Sequence, residues 1–351
     1  FSDCFLIFTN IVYPHTLFNI FMYLRLLFGN YFKSDSSQIC QILKKIYCSI
    51  AGIVVLLYFF NSNDSDPLSP GYYLPFEFFV TFFLSMFYED SIIESISSYK
   101  MVDKLMGFQG PISYRFLIIL FLQVLNVCVG GAILFKYLRH VRSDIPFLFI
   151  IYLSIALGSI PKILFLDVLY ERMKSLRMSF EHEYPIVNVI GKSRTNQKKF
   201  HLNMCLCQYK HLMNCFDKAS KQMQIGVRIC LVHLIYKINL IFLKDLTLFF
   251  PLWFKIQYTL ILLLTPAILS ELISVEYDKI RETLRKQIAT CTDECLKEVQ
   301  KKAYVYVKLR PYEFVIGRAI SLNMSMPLSF IGVCIGHLIV LLQNKSQRYK
   351  N

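Results

Sequence analysis

Apolar runs of about 18 to 22 residues recur along the chain, separated by polar stretches. That length matches a hydrocarbon core about 30 Å thick at about 1.5 Å rise per residue. The pattern predicts an all-α, polytopic membrane protein with seven transmembrane helices. They are Ile46 to Phe60 (extended backwards by Ile39 to Lys45), Tyr73 to Ile96, Ile112 to Phe135, Ile145 to Leu166, Gln224 to Phe249, Leu252 to Ile273 and Tyr312 to Leu342. Before them, Cys4 to Phe32 has short apolar runs broken by Pro14 and Gly29-Asn30, which reads as an amphipathic or re-entrant stretch at the interface. If that stretch spans, the count becomes eight and everything after it inverts.

Apolar positions at helical spacing continue past three of the spans. Leu169, Met173, Leu176 and Phe180 follow the fourth, Phe200 to Gln224 precedes the fifth, and Glu276, Ile280, Leu284 and Ile288 share a face after the sixth while Lys279, Arg281 and Glu282 lie on others. The fourth to sixth helices are therefore expected to extend out of the bilayer, with Lys192 to Lys199 as a mobile tip. The chain divides into an interfacial N-terminal segment (1–45), helices 1 to 5 with their extensions (46–249), helix 6 and its extension (250–311) and the last helix with a short tail (312–351).

Composition agrees with lipid as the main solvent: the 351 residues are 55% hydrophobic and 18% charged, against about 25% charged in soluble domains. Phe1 to Phe28 mixes apolar residues with Pro14, His15 and Arg25 and has no basic leader, so no cleavable signal is expected; the start without Met reads as trimmed. The net charge of +14 belongs to loops between apolar segments, not to a compact nucleic-acid-binding domain. With a cytoplasmic N-terminus about 26 Lys and Arg fall inside and about eight outside, which favours N-inside and C-outside. Lys136, Arg139 and Arg142, with Lys345, Arg348 and Lys350, run against that bias. The sequons Asn63-Asp64-Ser65 and Asn344-Lys345-Ser346 fall on the outer side.

Eleven cysteines lie mostly in apolar segments or basic loops, which implies no disulfide framework. His201, Cys205, Cys207, His211 and Cys215 stand at one-turn intervals, but a single straight helix cannot wrap four ligands around zinc, so no metal is expected. Cys291 and Cys295 read as reduced thiols. With no Gly-x-Ser-x-Gly elbow, phosphate loop or His-Glu-x-x-His, the chain is not expected to be an enzyme or to hold a cofactor.

The last span ends Gly336-His337, five apolar residues from Leu338 to Leu342, then Gln343-Asn344. This resembles the ending of the insect gustatory receptor family, Thr-Tyr, five apolar residues, Gln-Phe; the spacing and the Gln match, while the Thr-Tyr and the Phe do not. Phe314 to Gly317 and Ile320 to Asn323 resemble the family's preceding short helix and turn, and Leu269-Ser270-Glu271 leading to Glu276 resembles its sixth-helix exit. The resemblance implies a ligand-gated, non-selective cation channel in the plasma membrane: a homotetramer or heterotetramer whose last helices surround one pore and whose fourth to seventh helices extend into a cytoplasmic anchor. Gly332 and Gly336 form a small-xxx-small pair that permits close helix approach. Gly336, Val340, Gln343 and Asn344 fall along one face, with Val340 as an apolar constriction and Gln343 as a polar ring. Asn344 stands where the family places Phe. Apolar Leu338 follows the Gly336-His337 pair where the sugar-sensing branch carries an acid, so a bitter-type or orphan tastant is expected.

The family's pocket lies in the outer half of the bundle. The residues there are Phe76, Phe79, Phe83, Gln123, Asn126, Tyr152, Tyr236, Asn239, Gln257 and Tyr258: aromatics to stack on a small organic tastant and amides to orient it. Arg228 and Lys237, costly at bilayer depth, are functional suspects. An insect odorant receptor subunit shares the expected fold. A G-protein-coupled receptor needs the opposite orientation and an Asn-Pro-x-x-Tyr motif absent from the last helix, and a transporter needs paired broken helices.

Overall fold

The structure, a computed structural model, describes residues 22–32, 37–61, 70–87, 92, 94–95, 114–138, 145–181, 192–243, 249–316 and 320–348. Among these the order is α1 (Gln38–Asn61), α2 (Pro70–Phe87), α3 (Tyr114–Leu138), α4 (Ile145–Glu181), α5 (Lys192–Leu243), α6 (Phe249–Thr290), α7 (Glu294–Leu309), a hairpin of β1 (Val315–Ile316) and β2 (Ile320–Ser321), and α8 (Ser325–Arg348). Almost everything described is helical. Among the described residues three helices are long and apolar enough to cross a membrane, over Gln38–Asn61, Arg115–Ala132 and Pro146–Glu181, and Pro75–Phe87 is a shorter apolar helix.

On α1, Ile39, Ile42, Leu43, Ile46, Ile50, Ile53 and Leu57 are exposed, as suits a helix with lipid on one side. In contrast α4 is buried along most of its length. Its first half joins Val55, Phe78 and Val127 in one cluster around Leu148, Ile151, Tyr152 and Ile155. Its second half joins α5, α6, α7 and the hairpin in another around Leu169, Met173, Leu176, Tyr209, Ile273, Ile280 and Val307.

The helical extensions follow the expected spacing: Leu169, Met173, Leu176 and Phe180 are buried, as are Glu276, Ile280 and Leu284. Lys192 to Lys199, expected as a mobile tip, instead forms the first turns of α5. Lys, Gln and Arg are good helix formers, and Thr195 donates its hydroxyl to Asp293 Oδ2 at 3.0 Å. Asp293 caps α7 by accepting from Leu296 N at 3.1 Å.

Of the stretch Cys4 to Phe32, expected to be amphipathic or re-entrant, residues 4–21 lie outside the described residues. In residues 22–32 one face packs into the bundle, with Met22, Arg25, Asn30 and Tyr31 buried, while Tyr23, Leu24 and Leu27 are exposed. A short helix ends at Gly29, whose φ of +82° suits glycine, and a Cβ there would come within 3.1 Å of Ala51. Asn30 Nδ2 then donates to Ser154 O and Oγ, both at 2.9 Å, and Ser154 Oγ donates to Phe28 O at 2.7 Å.

The last apolar stretch, expected as one helix from Tyr312 to Leu342, begins instead as the hairpin, in which Val315 faces Ser321 and Ile316 faces Ile320. Phe314 to Gly317, expected as a short helix, is therefore extended as far as Ile316. Its β-branched Val315, Ile316 and Ile320 favour a strand, and Leu322 N closes the hairpin onto Phe314 O at 2.7 Å.

Helix contacts are tightest at glycines. A Cβ at Gly158 of α4 would overlap the Thr81 methyl of α2. Gly158→Ala is expected to cost about 1 to 3 kcal/mol through overpacking, read as a lower melting temperature of the solubilised chain. Gly332→Ala on α8, where a Cβ meets nothing within 4 Å, is expected to cost nothing.

Candidate functional site

Helix α8 starts where Asn323 supplies a cap, its Oδ1 accepting from Met326 N at 3.3 Å and from Ser325 Oγ at 2.5 Å. Successive residues turn by about 100°. Ser325, Ser329, Gly332, Gly336 and Gln343 thereby fall within a narrow stripe, all exposed, with Val340 (51% exposed) beside them. Leu328, Ile335 and Ile339 flank the stripe on one side and Val333 on the other, all exposed. A Cβ at Gly332 or Gly336 meets nothing within 4 Å. Among the described residues nothing covers one wide face of α8, small and polar along its centre and apolar on both flanks. The side chains of Asn344 and His337 lie outside the described residues.

The segment that leads into α8 is held firmly. Tyr312 is buried, its hydroxyl donating to Ser270 Oγ of α6 at 3.2 Å. Phe216 of α5 packs against both Tyr312 and Phe314, with ring centroids 4.7 and 5.9 Å apart. Tyr209 donates to Arg310 O at 2.6 Å, Tyr277 to Val307 O at 3.3 Å, and Arg310 pairs with Asp217 at 2.8 Å. The hairpin is therefore anchored to α5 and α6, and α8 leaves from it.

Below the hairpin a buried ion pair ties α4 to α6: Arg177 Nε reaches Glu276 Oε2 at 2.6 Å and Lys279 reaches Oε1 at 2.9 Å. Burial alone would push the Glu276 carboxyl up, but hydrogen bonds from Lys279 and Arg177, reinforced by their charges, hold it below the usual glutamate value. Arg177 also pairs with Glu181. A second set joins α3 to α4, where Arg115 pairs with Glu171 and stacks over Tyr170, its centre 4.0 Å from the ring centroid.

The candidate pocket residues separate. Tyr152 and Phe79 belong to the cluster of the first half of α4, and Tyr152 lies 3.2 Å from a Cβ built on Gly130. Gln123 is buried nearby on α3 and donates to Ser159 Oγ at 3.4 Å. Asn126 is half-buried. Phe76 and Phe83 are exposed and do not join that cluster. The side chains of Tyr236, Asn239, Gln257, Tyr258 and Lys237 lie outside the described residues, and Arg228 is exposed.

The cysteine and histidine run on α5 forms two separate pairs, His201 Nε2 with Cys205 Sγ at 3.5 Å and His211 Nε2 with Cys215 Sγ at 3.7 Å. Among the described residues no three potential ligands converge. Burial pushes the Cys205 thiol up to about 12 and the His201 imidazole below its usual value, which suits neutral packing groups.

The sequence reading missed the Asn30–Ser154 latch, the Arg177–Glu276 pair and the hairpin. Of these only the ion pair left a trace: Glu276 sits among apolar positions on the buried face of α6.

No protein-family model matches the chain, and neither does any curated protein. Solved structures do. The insect olfactory receptor OR5 from Machilis hrabei, in complex with eugenol, superposes at TM-score 0.67 with 11% identity, over 94% of this chain and 98% of that one. The same receptor in a second structure superposes at TM-score 0.67 with 10% identity and equal coverage. The chain has the fold of an insect olfactory receptor. At that identity the shared property is the path of the backbone, and the chemistry rests on the residues described above.

Proposed function

We propose that the chain is a subunit of a ligand-gated, non-selective cation channel of the plasma membrane, a chemosensory receptor with seven spanning helices. The N-terminus is cytoplasmic, the C-terminus is outside, and α4 to α7 end in a cytoplasmic anchor. The observation that carries this reading is the uncovered face of α8. Its apolar flanks suit contact with neighbouring copies and its small, polar centre suits an aqueous axis. Four copies, or copies mixed with related subunits, would enclose the path, with Val340 as the constriction and Gln343 and Asn344 as outer polar rings.

The ligand is a small organic molecule held by the aromatic faces of Tyr152 and Phe79 in the first-half cluster and oriented by the amides of Gln123 and Asn126 on α3. Higher affinity for the arrangement with α8 drawn outward shifts the channel open. The ending of α8 favours a gustatory role, for a bitter-type or orphan tastant. The likeness to an olfactory receptor solved with eugenol favours the second reading, an odorant receptor subunit. Compounds of both classes, screened by calcium entry into cells expressing the chain, separate the two.

Val340→Ala widens the proposed constriction, and in a current-carrying assembly it is expected to raise current without ligand and alter conductance. Unchanged gating and conductance in patch recordings would remove Val340 from the pore. A C-terminal tag is expected to be labelled on intact cells; labelling only after permeabilisation would support a G-protein-coupled topology instead.

A further inference from the structure

From Lys192 to Arg228, α5 carries eight Lys and Arg and a single carboxylate, Asp217, which pairs with Arg310 of α7. The neighbouring helices are arranged differently. On α6, Lys279, Arg281 and Lys286 pair with Glu276, Asp278 and Glu282, and on α7 Lys302 pairs with Glu298. On α5, Lys210, Lys218, Lys221 and Arg228 are exposed, and among the described residues none has a carboxylate partner.

Helical rotation of about 100° per residue places Lys210, Lys221 and Arg228 within about 20° of one another, with Lys218 about 80° to one side. One turn above Arg228, on the same side of the helix, stands Val232, 67% exposed. This face therefore changes from apolar to basic within one turn, at the inner end of the fifth span. Arg228 can reach down and Lys221 and Lys218 up along their aliphatic stems, so that the charges gather at headgroup level.

We infer that Lys218, Lys221 and Arg228 form a binding surface for an anionic phospholipid of the inner leaflet, whose acyl chains lie against Val232. The inner leaflet supplies that charge, and the exposed apolar residue directly above the bases favours a lipid over an acidic protein segment. The inference rests on the membrane-spanning, N-inside reading above. It requires neither current nor tastant, so its failure is separate from failure of the channel reading. Because α5 also packs against the hairpin that leads into α8, such a lipid would bias the pore.

The test titrates the detergent-solubilised full chain with dioctanoyl phosphatidylserine, following the melting temperature. A saturable rise is expected, absent with dioctanoyl phosphatidylcholine and with inorganic phosphate. Each base near an anionic surface strengthens binding about five-fold. The variant carrying Lys218→Gln, Lys221→Gln and Arg228→Gln should therefore raise the titration midpoint about one-hundred-fold. Lys221→Gln alone, a change at an exposed position that leaves folding undisturbed, should raise it about five-fold. Lys198→Gln, Lys297→Gln and Lys301→Gln together remove equal charge elsewhere and should shift it less than about two-fold. An unmoved midpoint in the first variant and in Lys221→Gln, an equal shift in the second triple, or an equal response to inorganic phosphate would overturn the proposal. So would loss of assembly in the first variant with its lipid response intact, which would make this face a contact between subunits.

Discussion

Gly336→Leu is expected to abolish cation current while leaving the single subunit at least as stable as the wild type. The two effects separate because Gly336 meets no neighbour among the described residues of its own chain: a Cβ there finds no atom within 4 Å, and the position is exposed. Leucine is a better helix former than glycine by about 1 kcal/mol, so α8 itself gains. With the stripe Ser329, Gly332 and Gly336 turned to the axis, each copy adds four apolar carbons where only backbone lined the opening, and the path narrows and dewets. Loss of at least ten-fold in current, with assembly retained in size-exclusion chromatography and an unchanged or higher melting temperature, is the expected combination. If current persists, this face does not line the opening.

Glu276→Ala is expected to destabilise the part of the bundle formed by the ends of α4 to α7 by about 1 to 3 kcal/mol, the cost of removing the acceptor of charge-assisted hydrogen bonds while Lys279 stays exposed and Arg177 keeps Glu181. Arg177 and Lys279 both converge on this carboxylate, which is itself 4% exposed. Replacing Arg177 and Glu276 together by Met and Leu should recover most of the loss, since a hydrophobic replacement of a buried pair is often neutral. The sign of the pH dependence follows from the lowered carboxyl. The stabilisation is present above the usual glutamate range and is lost as pH falls through the depressed folded value. Melting curves between neutral and acid pH should show a smaller acid-induced loss in Glu276→Gln than in wild type.

The sequence predicted much of the helical frame because its determinants are local. Leu169, Met173, Leu176 and Phe180 repeat at the period of one helix face, and all four are buried. Glu276, Ile280 and Leu284 behave the same way on α6, while Lys279, Arg281 and Glu282 stay exposed. The hairpin was not legible, because Val315, Ile316 and Ile320 sit inside a longer apolar stretch and a short β-branched run has no period of its own. Nor was the burial of Asn30, which depends on its meeting Ser154, 124 residues away. Composition also could not separate Phe79, which joins the first-half cluster, from Phe76 and Phe83, which are exposed: consecutive aromatics on α2 look alike until neighbouring helices choose a face. The stripe on α8 was legible as a small-xxx-small pair, and the structure adds that none of the described residues comes within 4 Å of a Cβ at Gly332 or Gly336.

The central claim is that the uncovered face of α8 belongs to a shared axis. A reconstruction of the intact assembly in lipid nanodiscs tests it most directly. It should place Gly332, Gly336, Val340 and Gln343 of every copy around one central opening, with Leu328, Ile335 and Ile339 against the adjacent α8. Density that puts this face at the outer rim, covered only by lipid, would contradict the channel reading.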